Sequence, residues 1–385
     1  MDNIPPSIIR LPPPPPPLIP ADLKEGEINP EMVGSNNRST HTYYLSKWKR
    51  LTDIESLPEE VLFDVLVRLQ AQDIYDSARL VCSKWYHMIH THTFIYAHLQ
   101  HSTYGLLFKS TSSGALLFMA VGKSGRVEIS KLSYKLRGPL MVGCNGLLLE
   151  VGENEHNFNV SNPATRQVFA LPPFVAKITH YELFGVVYAA ASMEYKVVII
   201  ARWGKRMYCI FTIGVDNSWR TVGSSLDSQE CIITPLITEG FLHFYDEASN
   251  EVVTLNAETE IITKTSCPNP RGYRRNFLLS TGRYLSLLLP CGEFCWEVWE
   301  MKPKIDYQWR KVWDISLKAH KCTTLQQFVF KKYYYLKPVG WLKYLEVLVF
   351  EVFDVYDSSP SQKLVFNLLT QEIDTIKYLA AIRLD

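Results

Sequence analysis

The stretch from Leu57 to Ile89 constrains the fold most, because it encodes a helical unit with more apolar surface than it can bury. Ser56 lies three residues before Glu59, which is the spacing of a capping box, and Pro58 falls in the first turn. Apolar residues then recur at helical spacing and form a stripe of Val61, Leu62, Val65, Leu66 and Leu69. A second amphipathic segment has the apolar residues Ile74, Ala78, Leu80, Val81, Cys82, Trp85, Met88 and Ile89.

A helical unit this short cannot fold around a core of its own, since domains of a few tens of residues bury too little surface. Its apolar stripe must therefore be covered, either by the rest of the chain or by another protein. The sequence leaves these two alternatives open, and the choice between them decides whether the unit is a docking module.

The same stretch resembles the F-box, whose pattern is Leu-Pro, two acidic residues, paired aliphatics, Arg-Leu, and then Val-Cys-(basic)-x-Trp. The matching residues are Leu57, Pro58, Glu59, Glu60, Val61, Leu62, Leu66, Arg68, Leu69, Ile74, Val81, Cys82 and Trp85. Two positions depart from the pattern: Gln70 stands where a proline usually follows Arg-Leu, and Ser83 stands where a basic residue usually follows Val-Cys. The resemblance implies docking on a Skp-type adaptor and, through it, on a cullin.

On this resemblance, the predicted adaptor-binding residues are Leu57, Pro58, Val61, Leu62, Leu66, Leu69, Ile74, Val81, Cys82 and Trp85. We expect Leu62 and Trp85 to contribute most, because a few buried anchors carry most of the binding energy of an interface. The sequence does not separate side chains that contact a partner from side chains that pack inside the unit, and Trp85 could do either.

Residues 1–45 have no helical or strand period, and Pro12 to Pro17 form an uninterrupted proline run. Such a run adopts an extended polyproline helix in water. We predict a disordered, proline-rich leader over 1–45, with a docking peptide for an aromatic groove as the alternative. The F-box module is assigned to 46–98, and a second domain to 99–385.

Composition limits the partners. The formal net charge is +1, from 40 basic and 39 acidic residues, which gives no reason to propose nucleic acid or an anionic membrane as the main partner. There is no apolar run long enough for a membrane span and no secretory signal pattern. Eight scattered cysteines without a signal favour reduced thiols, and hence a location in the cytoplasm or nucleus.

From about residue 100 the pattern changes to short apolar runs separated by Gly, Pro, Asn, Asp or Ser, which is typical of an all-β domain. A Gly before an apolar strand recurs at Gly105, Gly146, Gly240 and Gly282, at intervals of roughly 40 residues or twice that. The signature Trp-Arg-x-Val begins at Trp219 and again, about 90 residues later, at Trp309. This period fits four-stranded propeller blades.

Several motifs in this region, taken in order, resemble the F-box-associated domain of plant F-box proteins. They include Cys144-Asn145-Gly146-Leu147-Leu148, the NVSNPAT run from Asn159 to Thr165, Phe184-Gly185-Val186-Val187-Tyr188, Glu239-Gly240-Phe241-Leu242 and Trp296-Glu297-Val298-Trp299. The resemblance implies a kelch-like propeller used for binding. The predicted fold class is therefore an α+β multidomain chain, a small all-α F-box module followed by an all-β propeller of about six to seven blades.

No catalytic motif stands out: GxSxG, HExxH, the P-loop and GxGxxG are all absent from the sequence. His98 and His101 could share a helix face, but no cysteine or acid completes a metal site there at a suitable spacing. Cys291 and Cys295, with His320 and Cys322 downstream, are more widely spaced than the pairs a zinc site prefers. We therefore predict no metal and no cofactor. The segment CPNPRGYRRN carries three arginines, Arg271, Arg274 and Arg275, and is the first candidate for binding an acidic or phosphorylated substrate, with a solvated loop as the alternative.

The favoured hypothesis is a non-catalytic substrate receptor of a Skp–cullin–F-box ubiquitin ligase. The F-box would dock on the adaptor, and the propeller would hold the protein that is targeted for ubiquitination. One rival is an adaptor-binding scaffold that acts outside ubiquitin transfer. Another is a propeller enzyme with a copper or calcium centre, which would need a clustered ligand set.

Overall fold

The computed structural model describes two separate parts of the chain. The described residues are 8–9, 57–110, 113–152, 157–174, 180–203, 205–225, 232–247, 249–268, 276–292, 294–303, 306–317, 334–354 and 363–376. The chain divides into a helical unit, Pro13–His101, and a β-sheet unit made of Met1–Pro12 together with Ser102–Asp385. Among the described helices, none has both the length and the apolar character that crossing a membrane requires.

Within residues 57–101, the helical unit has four short helices and one 3₁₀ turn. They are α1 (Glu59–Leu66), α2 (Ala71–Asp76), the 3₁₀ turn (Ala78–Leu80), α3 (Ser83–Ile89) and α4 (His92–His101). Pro58 is the residue that precedes α1, and Glu59 and Glu60 place two carboxylates in the first turn. Negative charge at this end suits the helix dipole. The predicted capping residue Ser56 lies outside the described residues.

The core of the helical unit is formed by side chains from α1, α2, α3 and α4. Its fully buried members include Leu66, Ile74 and Phe94. Phe63 packs edge-on against Phe94, with ring centroids 5.5 Å apart. The unit therefore buries a small core of its own, so the expectation that it cannot form one is wrong, while part of its apolar stripe stays exposed.

The β-sheet unit is a six-bladed propeller, which confirms the predicted architecture. Blade 1 contains β1 (Ile8–Ile9), β2 (Gly105–Lys109), β3 (Leu116–Val121) and β4 (Val127–Lys131). Blade 2 contains β5 (Leu140–Cys144), β6 (Leu147–Val151), β7 (Phe158–Asn162) and β8 (Gln167–Ala170). Blade 3 contains β9 (His180–Ala189), β10 (Glu194–Trp203), β11 (Lys205–Thr212) and β12 (Arg220–Ser225).

The second half of the ring repeats the arrangement of antiparallel four-stranded sheets. Blade 4 contains β13 (Ile232–Thr238), β14 (Phe241–Asp246), β15 (Glu251–Asn256) and β16 (Ile262–Ser266). Blade 5 contains β17 (Phe277–Ser280), β18 (Leu285–Gly292), β19 (Cys295–Met301) and β20 (Trp309–Ser316). Blade 6 contains β21 (Tyr334–Lys343), β22 (Val347–Asp354), β23 (Lys363–Asn367) and β24 (Glu372–Ile376).

Buried apolar clusters lie between each blade and the next and hold the ring together. Between blades 3 and 4, Val187 packs with Leu242 and Phe244. Between blades 6 and 1, Leu106 packs with Val349, which closes the ring. Each of these side chains is almost fully buried, and burial of one large apolar side chain stabilises a fold by roughly 1.5–3 kcal/mol.

The glycine repeat in the sequence marks one structural position, the start of the second strand of a blade. Gly146, Gly240 and Gly282 lie in the turns that precede β6, β14 and β18, all with φ near +80°. Side chains other than glycine rarely adopt this backbone conformation. Gly105 begins β2, and its backbone approaches Met119 so closely that a Cβ would lie 2.3 Å from the Met119 carbonyl oxygen.

The Trp-Arg-x-Val signature marks a second repeated position, the start of the fourth strand. Trp219 directly precedes β12 in blade 3, and Trp309 begins β20 in blade 5. Because these blades are two apart in the ring, the observed spacing of the signature corresponds to two blades.

The first strand of blade 1 comes from the leader, ahead of the helical unit. Ile8 pairs with Leu106, and Ile9 pairs with Gly105, in an antiparallel arrangement. This pairing departs from the prediction of a leader without secondary structure over 1–45, since a two-residue strand carries no detectable period. The helical unit is thus inserted in the chain between the first and second strands of blade 1.

Candidate docking surface

The helical unit exposes several large apolar side chains, and we refer to these as the exposed apolar set: Val61, Val65, Leu80, Val81 and Tyr96. Val61 and Val65 lie one turn apart on α1 and are 45% and 51% exposed. Leu80 and Val81 follow each other at the end of the 3₁₀ turn and are 68% and 53% exposed. Neighbouring apolar side chains left exposed on one small unit are candidates for contact with a partner.

The helical period of α1 explains why it has both a buried and an exposed apolar side. Leu62 and Leu66 lie one turn apart and point into the core, with exposures of 2% and 0%. Val61 and Val65 are displaced from them by about 100° around the helix axis, as one residue step requires, and this turns them outward. The apolar stripe in the sequence is therefore wider than the core can cover.

Of the ten predicted adaptor-binding residues, seven keep at least part of their side chain at the surface. Pro58, Val61 and Val81 are exposed, and the partly exposed ones are Leu57, Leu69, Cys82 and Trp85. Leu69 and Trp85 also pack against the edge of the core. The structure thus shows Trp85 packing inside the unit with part of its side chain at the surface, and its contact with an adaptor stays a prediction.

The remaining three predicted residues, Leu62, Leu66 and Ile74, are buried inside the helical unit. In this structure their side chains belong to the core, and the prediction that they contact the adaptor, with Leu62 as a leading anchor, stays a prediction. Packing in the core and contact with a partner both require apolar residues at helical spacing, so the sequence pattern alone could not separate these two roles.

Three members of the exposed apolar set were not among the predicted site residues. Val65 and Leu80 had been recognised as apolar positions of the two segments, without a role on the surface. Tyr96 lies on α4, beyond the F-box pattern, and no sequence signal pointed to it. An exposed tyrosine is well suited to an interface because its ring is apolar and its hydroxyl is polar.

His98 fixes α4 to the end of the first helical segment. Its ring is 3% exposed, and its Nε2–H donates to the carbonyl oxygen of Leu69 at 3.0 Å. The ring also stacks on Phe94 at a centroid distance of 5.9 Å. Burial lowers the pKa of His98, which favours the neutral ring. His101 bonds instead to the carbonyl oxygen of Ala97 at 2.9 Å, so the two rings are engaged with backbone groups.

The predicted substrate-binding arginines, Arg271, Arg274 and Arg275, lie outside the described residues. The ends of the segment that carries them are described. Asn250 Nδ2 donates to the Cys267 carbonyl oxygen at 3.1 Å, and Asn276 Nδ2 donates to Asn250 Oδ1 at 2.8 Å. Both ends are thus attached to the same asparagine.

Within the described part of the chain, no group of three or more His, Cys, Asp or Glu side chains is arranged to bind a metal ion. Buried ionisable groups in the propeller instead form pairs or polar networks. Glu351 accepts a hydrogen bond from Lys363, and Arg206 lies 3.4 Å from Asp246.

Family models match both units of the chain. The model of the F-box associated beta propeller domain matches residues 122–340, which is more than half of the chain. The chain belongs to the F-box-associated β-propeller family. An F-box-like model matches residues 54–101, which include the four described helices of the helical unit.

Individual relatives of this F-box-associated propeller protein are more distant. F-box protein CPR1 of Arabidopsis thaliana is 25% identical over 193 residues, which are 45% of this chain and 46% of that protein. The chain thus matches only about half the length of this curated relative.

Two solved structures of oligogalacturonate lyase are also similar in part. One, in complex with manganese, has a TM-score of 0.40 and 12% identity over 70% of this chain and 72% of the lyase. The other, from Vibrio parahaemolyticus, has a TM-score of 0.41 and 9% identity over 71% of this chain and 77% of the lyase. Similarity this low carries no information about activity.

Proposed function

We propose that this protein is the substrate-recognition subunit of a Skp–cullin–F-box ubiquitin ligase. The observation that carries the proposal is the exposed apolar set on an F-box-like unit in a chain that also contains an F-box-associated propeller. The helical unit would dock on a Skp-type adaptor and thereby on a cullin. The propeller would bind the protein that is to be ubiquitinated.

In this proposal the protein catalyses no reaction itself and acts by proximity. Holding a substrate lysine close to ubiquitin on a conjugating enzyme converts an encounter between two molecules into a step within one assembly. The helical unit therefore has to bind the adaptor firmly and the propeller has to bind the substrate firmly, and no catalytic group is needed.

The docking energy would come from covering the exposed apolar set. Each of its members still exposes about half of its side chain, so burial of each in an interface contributes roughly 1 kcal/mol or more. Polar and charged groups around them, such as Glu60 and Asp64, would lie at the rim, where charge affects association rate more than affinity.

The test replaces Val61 and Val65 together by aspartate and measures co-purification with the Skp-type adaptor. We expect at least a 30-fold loss of affinity, because charge would be buried in an apolar interface, while the circular dichroism of the chain stays unchanged. Thr93→Asp, at an exposed position outside the exposed apolar set, is the matched control and should bind normally. Normal binding by the double variant would contradict the docking proposal.

Leu62→Asp is unsuitable for this test, since Leu62 is only 2% exposed and a buried charge would unfold the helical unit.

Recovery of cullin with the wild-type chain distinguishes the ligase subunit from a scaffold that binds the adaptor outside ubiquitin transfer.

For the substrate side, we propose that Arg271, Arg274 and Arg275 contact an acidic or phosphorylated segment of the target, because guanidinium groups bind carboxylates and phosphates in bidentate geometry. The attachment of Cys267 and Asn276 to Asn250 supports this, since it would limit the entropy that the intervening segment loses on binding. In a proteomic pull-down after proteasome inhibition, replacing the three arginines by glutamate should remove substrates and retain the adaptor.

A further inference from the structure

The ammonium group of Lys302 lies in a cluster of aromatic and acidic side chains where blades 5 and 6 meet. Its Nζ is 4.9 Å from the centroid of the Tyr284 ring and 3.0 Å from Oε1 of Glu300. Lys302 directly follows β19 and is about one-third exposed, so its side chain reaches this cluster from the surface.

The groups around the ammonium are held in place independently of Lys302. The hydroxyl of Tyr344 donates to Oε2 of Glu300 at 2.6 Å, which leaves Oε1 directed at the cation. Tyr344 in turn packs edge-on against Tyr284, at 6.1 Å, and against the buried Trp341, at 5.4 Å. The indole N–H of Trp341 donates to the Ser286 hydroxyl at 3.3 Å.

The backbone at Tyr284 is fixed as well. Its N–H donates to the Thr281 hydroxyl at 2.8 Å, and the same hydroxyl donates to the Tyr284 carbonyl oxygen at 3.0 Å. The aromatic face and the carboxylate therefore keep their positions when the lysine side chain moves, since none of these contacts involves Lys302.

An aromatic face beside a nearly buried carboxylate is suited to one class of ligand. The ring quadrupole attracts a cation within about 6 Å, and the carboxylate of Glu300, which is 9% exposed, neutralises its charge. The Lys302 side chain is long and flexible, so a ligand can displace it from its position beside the Tyr284 ring and Glu300.

We propose that Tyr284, Glu300 and Tyr344 form a binding site for an alkylammonium cation, the chemistry of a lysine side chain on a bound protein. Lys302 occupies the site in the free chain and gives way to the incoming cation. The site belongs to the propeller alone and does not depend on the proposed ligase function.

The experiment vacates the site with Lys302→Ala and offers n-butylammonium, the cationic part of a lysine side chain, while the thermal unfolding midpoint is recorded. We expect the midpoint of this variant to rise with n-butylammonium and not with the neutral n-butanol, because a ligand that binds only the folded state stabilises it. At the same ligand concentration the wild-type chain should show a smaller rise, because its tethered lysine competes for the same place.

Lys343→Ala is the matched control, since Lys343 ends β21 near the same cluster and pairs with Glu346 at the surface. This variant should respond like the wild type. In the Lys302→Ala background, Tyr284→Leu and Glu300→Gln should each remove the response, because Tyr284→Leu lacks the aromatic face and Glu300→Gln lacks the negative charge.

The absence of a midpoint rise in Lys302→Ala would overturn the proposal. Lys302 would then only stabilise the turn in which it lies. An equal rise in Lys302→Ala, in Lys343→Ala and in the double variant Lys302→Ala/Tyr284→Leu would also overturn it, as an unspecific effect of the salt. If Lys302→Ala does not fold, Lys302→Gln keeps the aliphatic stem, and the same three comparisons apply.

Discussion

At the scale of single residues, the α1 helix shows how closely a core position and a surface position can resemble each other. Leu62 and Val61 are neighbours in the sequence, and both belong to the apolar stripe, yet one is 2% exposed and the other 45%. The stripe predicted the helix correctly, because apolar residues at helical spacing require it. It could not assign the two sides, since only the packing of α2, α3 and α4 determines which side is covered.

His243 illustrates a buried polar residue to which the sequence motifs assigned no role. Its Nε2 lies 2.8 Å from the Thr238 hydroxyl oxygen and its Nδ1 lies 2.9 Å from the Thr254 hydroxyl oxygen. One hydroxyl accepts from the ring and the other donates to it, which suits a neutral imidazole. Burial lowers the pKa of His243 to about 3.

This pKa predicts a loss of propeller stability in acid. Below the ordinary histidine pKa of about 6.5, His243 takes up a proton when the chain unfolds but stays neutral in the folded state down to about pH 3. The free energy of unfolding should therefore fall by up to about 1.4 kcal/mol for each pH unit in this window. Urea unfolding at several pH values, followed by circular dichroism, measures this slope.

His243→Gln removes the titration and keeps a side chain that can hydrogen-bond to the threonines. The variant should have a smaller slope between pH 6.5 and 3 than the wild type, whatever its stability at pH 7. Identical slopes in the two proteins would show that the ring of His243 does not contribute to the acid sensitivity.

At the scale of elements, the sequence predicted the turns and strands of some blades better than those of others. The glycine repeat located the turns before β6, β14 and β18 because a positive φ restricts the residue type there. The number of blades was left between six and seven, since the strands of the remaining blades carry no such fixed residue. The leader strand β1 was missed, because two residues show no alternation.

The pairing of β1 predicts that a small part of the leader matters for the propeller. Replacing Ile8 and Ile9 by proline removes two backbone N–H groups and should disrupt the pairing with Gly105 and Leu106. Hydrogen exchange of the β2 amides should then become faster, and the thermal midpoint of the propeller should fall by a few degrees.

The matched control for this experiment places the same two prolines at Leu18 and Ile19, also in the leader. These positions should tolerate the change, since they lie beyond the strand. If both double variants exchange at the same rate across β2, Ile8 and Ile9 do not form the first strand of blade 1 in solution.

At the scale of the whole molecule, the order of the chain explains how one protein can combine two separate units. The chain leaves blade 1 after Ile9 and re-enters it at Gly105, and these two residues are paired with each other. Its two connections are therefore adjacent in the propeller. An insertion with adjacent ends leaves the host fold intact, because the ends need only a short bridge.

This arrangement predicts that the helical unit can be removed without loss of the propeller. Joining Ile9 to Gly105 through a short Asn-Gly hairpin turn replaces the inserted chain by a connection that antiparallel strands readily accept. We expect the shortened chain to retain its β-sheet circular dichroism and a thermal midpoint close to that of the full chain, while adaptor binding is lost completely.

A second shortened chain that starts at Ser102, without the leader strand, provides the comparison. It lacks β1, one of the two strands that pair with β2, and should be less stable than the chain with the hairpin, although both lack the helical unit. If the two shortened chains unfold at the same temperature, β1 contributes nothing to the ring. If the hairpin chain fails to fold while the full chain does, the helical unit is an integral part of the propeller rather than an insertion into it.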